Sequence, residues 1–129
     1  SNPTAQPTSD CASCTSRYQF TSSSSLFEAV NLYTSNTDFA IITYGVIECW
    51  NVSQVIDMNR LFNLKVSFND NIECWDVSSV VNMKEMFLQA SNFNQPIGRW
   101  DVSSVINMKQ MFGWTSAFNQ PLGSWDISS

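Results

Sequence analysis

Residues Trp75–Phe87 read WDVSSVVNMKEMF, and Trp100–Phe112 read WDVSSVINMKQMF. A looser copy, WNVSQVIDMNRLF, spans Trp50–Phe62, and a fourth begins at Trp125–Ser129. Successive tryptophans stand 25 residues apart. A chain that repeats at such a period folds as stacked units, because no single copy buries its apolar face alone.

Apolar residues recur at set offsets in each copy. Trp75 and Val77 alternate with Asp76, the period of a strand. Asn82 before Glu85, and Asn107 before Gln110, have the spacing of a helix capping box; Arg60 after Asp57 departs from it. Met83, Met86, Phe87 and Ala90 then share one helical face, as do Met108, Met111 and Phe112, and Met58, Leu61 and Phe62. The pairs Phe68-Asn69, Phe93-Asn94 and Phe118-Asn119 read as turns, with Pro96 and Pro121 after the last two. The expected fold is an α/β repeat. It is a leucine-rich-repeat-like right-handed solenoid of 25-residue coils, each a short parallel strand plus a short helix. Trp50, Trp75, Trp100 and Trp125 form one expected core ladder. Phe62, Phe87 and Phe112, and Phe68, Phe93 and Phe118, form two more. Each buried ring contributes roughly 2–3 kcal/mol.

Upstream, Leu26, Ala29, Val30 and Tyr33 fall at i, i+3, i+4 and i+7, and Ser25 with Glu28 makes a capping box. These predict a helix over 26–33 inside an N-terminal capping unit, 17–49. Residues 1–16, SNPTAQPTSDCASCTS, read as a Ser/Thr/Pro-rich arm with a CxxC pair. The copies then occupy 50–74, 75–99 and 100–124, with a partial copy at 125–129. The chain opens without Met or a hydrophobic leader, so its first residue is expected to be a mature or excised terminus. The partial copy leaves apolar core to be covered by further repeats or by a partner.

The pattern W-D-V-S-S-V-x-N-M-x-x-M-F with a following F-N-Q-P resembles the BspA-like repeat of mycoplasma lipoproteins and other surface proteins. The likeness is close over Trp75–Trp125 and looser over Trp50–Cys74, and reaches back to about Ser24. It implies a leucine-rich-repeat-like solenoid displayed at the cell surface or secreted, associated with adhesion. The family is defined by its repeat, so the resemblance assigns no catalytic residue. Cys49 and Cys74 stand where such repeats carry variable polar residues.

Only 13% of residues are charged, about half the usual share. The net charge is −5, and the six cations are scattered singly. Nucleic acid is excluded, since binding it needs a basic stripe that displaces phosphate counterions. No apolar run is long enough to span a membrane. Four cysteines without a histidine favour disulfides over zinc. Cys49 and Cys74 share a repeat position, and equivalent residues of adjacent parallel strands lie within disulfide range. A Cys49–Cys74 bond is expected; the alternative pairs one of them with Cys11 or Cys14.

Asn51, Asp76, Asp101 and Asp126 also share a position, facing away from the core. Carboxylates stacked ~5 Å apart repel unless they are neutralised. A Ca²⁺ ladder is one answer. Internal turns with Ser78 and Ser103 are the other, favoured because no Gly turn gathers several carboxylates. Asn51-Val52-Ser53 is a glycosylation sequon. With Asp76, Asp101, Asp126, Ser78 and Ser103, the variable Arg99 and Trp114 complete a candidate binding face. No catalytic, metal or cofactor residue is identified. The function expected is a non-enzymatic secreted or cell-surface module that binds protein or glycan. The alternative is a structural subunit whose coils stack onto neighbouring subunits through the C-terminal end.

Overall fold

The computed structural model describes residues 10–125. Two helices precede the repeats: α1, Ser23–Ser35, and α2, Thr37–Tyr44. Helix α1 buries Leu26, Ala29, Val30 and Tyr33, the face read from their spacing. Its cap is Ser22 and not Ser25: the Ser22 Oγ accepts the Ser25 N–H at 3.1 Å, so the helix starts ahead of the predicted Leu26. Asn36 ends α1 and starts α2, since its N–H bonds to the Leu32 carbonyl and its Oδ1 accepts the Phe39 N–H. Gly45 closes α2 at φ 83°, a conformation that favours glycine.

The expected α/β leucine-rich-repeat-like right-handed solenoid does not form. Among the described residues, every helix lies within 10–49 and there is no strand and no sheet. Only isolated parallel bridges appear, Gln19–Asn51, Asp57–Asn82 and Asn82–Asn107. Each copy is a run of tight turns. In the first, the N–H groups of Leu61, Asn63 and Lys65 bond to the carbonyls of Met58, Arg60 and Phe62. The alternate N–H groups leave the copy. Those of Met58, Arg60, Phe62 and Leu64 donate to Asn82, Lys84, Met86 and Leu88. Met83, Glu85, Phe87 and Gln89 donate likewise to Asn107, Lys109, Met111 and Gly113.

This division explains why the predicted helices are absent. An α-helix satisfies its N–H groups within itself, whereas here half of them serve the neighbouring copy. The chain reverses at positive-φ residues four apart: Arg60 and Leu64, Glu85 and Gln89, Gln110 and Trp114. Asn82 supports a turn and not a helix, its Oδ1 accepting the Lys84 N–H two residues on at 2.9 Å. Met83, Met86, Phe87 and Ala90 are nevertheless all buried. A run of turns closed three residues apart inserts side chains into the core at nearly the helical interval.

Phe62, Phe87 and Phe112 stack at 5.4 and 5.6 Å, and Phe68, Phe93 and Phe118 at 5.9 Å. The indoles of Trp75, Trp100 and Trp125 donate to the carbonyls of Ile47, Ile72 and Ile97, each three residues before the preceding tryptophan. Trp50 has no earlier copy and uses the Gly45 carbonyl.

The expected Cys49–Cys74 bond is also corrected. The disulfides are Cys14–Cys49 and Cys11–Cys74, with Cα–Cα distances of 5.6 and 5.7 Å. The arm runs beside the first copy, where Asn51 donates to the Tyr18 carbonyl and accepts from the Phe20 N–H. Cys11 lies in a 3-10 turn, Asp10–Ser13, with Cys14 directly after it. Three residues of such a turn rise about 6 Å, close to the step between neighbouring phenylalanine rings. Two cysteines three residues apart therefore meet two cysteines one copy apart.

Candidate functional site

The first copy lacks a predecessor, and α1 and α2 fill that place imperfectly. A groove of about 410 Å³ remains at the seam. Tyr33, Thr34, Ser35 and Thr37 line one wall; Leu64–Phe68 and Asp70 line the other. Asp70 occupies the position of Gln95 and Gln120, whose side-chain amides reach back to Asn69 and Asn94 in the copy before. With no earlier copy to reach, Asp70 shares the groove with the Tyr33 phenol. Burial pushes the Tyr33 pKa up to about 12, and the negative charge of Asp70 adds to the shift.

The opposite wall departs from the other copies in backbone as well as side chain. The Val66 N–H closes onto the Leu64 carbonyl at 2.9 Å, two residues back. Leu64 keeps the positive φ of this repeat position, 66°, unusual for a branched side chain. Leu64 is 59% exposed and Val66 51%, so the wall carries an apolar lip.

The residues expected to form a binding face lie elsewhere. Asp76 and Asp101 are exposed, and each accepts the hydroxyl of Ser78 or Ser103 at 2.6 Å and its N–H at 3.0 Å. These bonds hold the Asp101 carboxyl below the usual carboxylate range. The internal-turn reading accounts for this ladder. Among the described residues no group of three metal-ligating side chains gathers. Asp126 lies outside the described residues. Arg99 is exposed and engaged by a neighbouring group. Asn51 is half-buried beneath the arm, its Oδ1 accepting the Ser53 N–H and hydroxyl at 3.0 and 2.7 Å. Trp114 is 81% exposed. Trp50, Trp75 and Trp100 are buried with Phe62, Phe68, Phe87 and Phe93, while Phe112, Phe118 and Trp125 are partly covered.

The groove residues escaped the sequence reading because 33–37 and 64–70 meet only once the chain is folded. One signal was available. Leu64, Lys65 and Asp70 differ from Gln89, Ala90 and Gln95 at the same repeat positions.

The chain belongs to the family described as Mycoplasma protein of unknown function, DUF285, whose model matches residues 20–129. No curated protein and no solved structure matches the chain. Among the described residues no helix is long and apolar enough to cross a membrane.

Proposed function

We propose that this protein is a BspA-like, non-catalytic binding module, secreted or held at the cell surface, that takes a glycan or protein in the seam groove. The groove carries the reading. It is placed where the repeat loses its regularity, and it combines an apolar lip with a carboxylate, an ammonium and several hydroxyls. Pockets that join apolar walls to a few convergent polar groups are the usual form of a binding site. Two disulfides support an extracellular setting, because such bonds persist in oxidising compartments. Asp70 is the one carboxylate among the lining residues, whereas glycoside hydrolysis uses a pair.

The test is binding of the oxidised chain to immobilised cell-surface glycans and matrix proteins. Leu64→Asp and Val66→Asp should abolish binding without lowering the melting temperature, since both side chains are exposed. Asp76→Asn should leave binding unchanged. Binding that survives both groove variants would place the site elsewhere and overturn the proposal.

A further inference from the structure

We infer that the seam groove and the Leu64–Gln89–Trp114 row form one extended site for a neutral oligosaccharide. The inference rests on the groove being a binding site and specifies its ligand.

Three hydroxyls on the helical wall of the groove are already committed as donors. Thr34 Oγ1 donates to the Val30 carbonyl at 2.9 Å, Ser35 Oγ to Asn31 at 2.8 Å, and Thr37 Oγ1 to Tyr33 at 2.7 Å. Each oxygen keeps lone pairs and has no proton left to give. The Asp70 carboxylate is likewise an acceptor. On the opposite wall, the N–H groups of Leu64, Val66 and Phe68 are bonded to the carbonyls of Leu88, Leu64 and Lys65. The polar lining is therefore rich in acceptors, with the Lys65 ammonium and the Ser67 hydroxyl as donors among them. A peptide strand brings one acceptor for every donor, and its carbonyls would find few partners here. A saccharide hydroxyl both donates and accepts, so a row of hydroxyls matches this lining. Lys65 and Asp70 place opposite charges in the same groove, which favours a neutral ligand over a uronic acid or polyamine.

The length of the site follows from the repeat. Leu64, Gln89 and Trp114 share one repeat position and one backbone conformation, with φ of 66°, 60° and 56°. The bonds from Leu64 N–H to Leu88 and from Gln89 N–H to Gly113 tie the three into neighbouring rungs. Rungs are separated by about the 5.4–5.6 Å of the Phe62–Phe87–Phe112 stack. The row leaves the groove at Leu64, passes the amide of Gln89 and ends at the exposed indole of Trp114. A flat aromatic face at that distance offers a platform for the C–H face of a pyranose ring, as the apolar lip does at the groove. The rung spacing is close to the length of one extended sugar residue, so about three residues would cover the row.

The test titrates the oxidised chain with neutral gluco-, manno- and galacto-oligosaccharides of two to six residues, read by tryptophan fluorescence and NMR shifts. At least one series should bind, with affinity rising to about three residues and then levelling. Trp114→Ala should weaken the trimer about tenfold or more and the dimer much less. Leu64→Asp should abolish both. Equal affinity of wild type and Trp114→Ala for every length would overturn the extended row. Binding of a charged glycan or an extended peptide through the groove, with no neutral sugar bound, would overturn the ligand class and leave the groove a binding site. Sugar binding untouched by both variants would overturn the groove itself.

Discussion

Helices α1 and α2 bury the same kinds of side chain as the repeats but settle their backbone hydrogen bonds differently. In the helices the N–H groups bond within the element, and the ends are closed by Ser22, Asn36 and Gly45. In the repeats every second N–H over 58–64 and 83–89 crosses to the next copy. A helix of this kind is complete on its own, whereas a copy is complete only beside another. An inner copy should therefore tolerate damage least, and the helical region should respond to local changes.

The largest effect expected from this contrast is at Phe87. Its ring is fully buried and stacks on Phe62, Phe93 and Phe112. Phe87→Ala should cost about 3–5 kcal/mol in denaturant unfolding. Phe112→Ala, with its ring only partly covered, should cost about half as much, and equal losses would break the contrast. Next is the link between the two regions. Cys14→Ser with Cys49→Ser opens a bond spanning 35 residues, worth roughly 3 kcal/mol. Hydrogen exchange should then show the arm opening at Tyr18–Phe20, while the Phe87 and Gln89 amides stay protected.

A smaller pair sharpens the comparison. Asn94 Oδ1 accepts the Asn119 N–H at 2.8 Å and the Gln120 amide at 3.0 Å. Asn94→Ala should cost about 1–2 kcal/mol and spread to the neighbouring copies. Ser22→Ala removes a helix cap, costs about 1 kcal/mol, and should fray only the start of α1. The smallest effect is confined to alkaline pH. The Tyr33 pKa is raised from 10.0 to about 12 by burial and by Asp70. The neutral phenol is the form the fold favours, so its contribution is fully present below pH 10 and fades as pH rises toward 12. Ultraviolet titration should show one phenol ionising near 12, and Asp70→Asn should lower that midpoint.

The burial pattern was readable in the sequence, because spacings such as Met83, Met86, Phe87 and Ala90 state which side chains share a side. The backbone was not. Helices and runs of three-residue turns bury side chains at almost the same interval, and Arg60, Glu85 and Gln110 give no local sign of positive φ. The bonds that decide the matter join different copies and cannot be inferred from one. The cysteine count pointed to disulfides, but their pairing depended on where the arm lay. The groove was readable only as a set of departures at Leu64, Lys65 and Asp70. That these face Tyr33 is a property of the packed chain.

The reach of each indole back past the preceding tryptophan also bears on the order of synthesis. Trp75, Trp100 and Trp125 donate to carbonyls 28 residues earlier, and the Asn94 and Asn119 N–H groups look back in the same way. During synthesis these acceptors leave the ribosome first. Each new copy therefore meets acceptors already made for its indole and its Asn N–H, while it brings the carbonyls that the alternate N–H groups of the copy before it require. A nascent chain whose residues up to Gly98 had cleared the ribosome would hold a second copy whose Met83, Glu85, Phe87 and Gln89 N–H groups still lacked their acceptors.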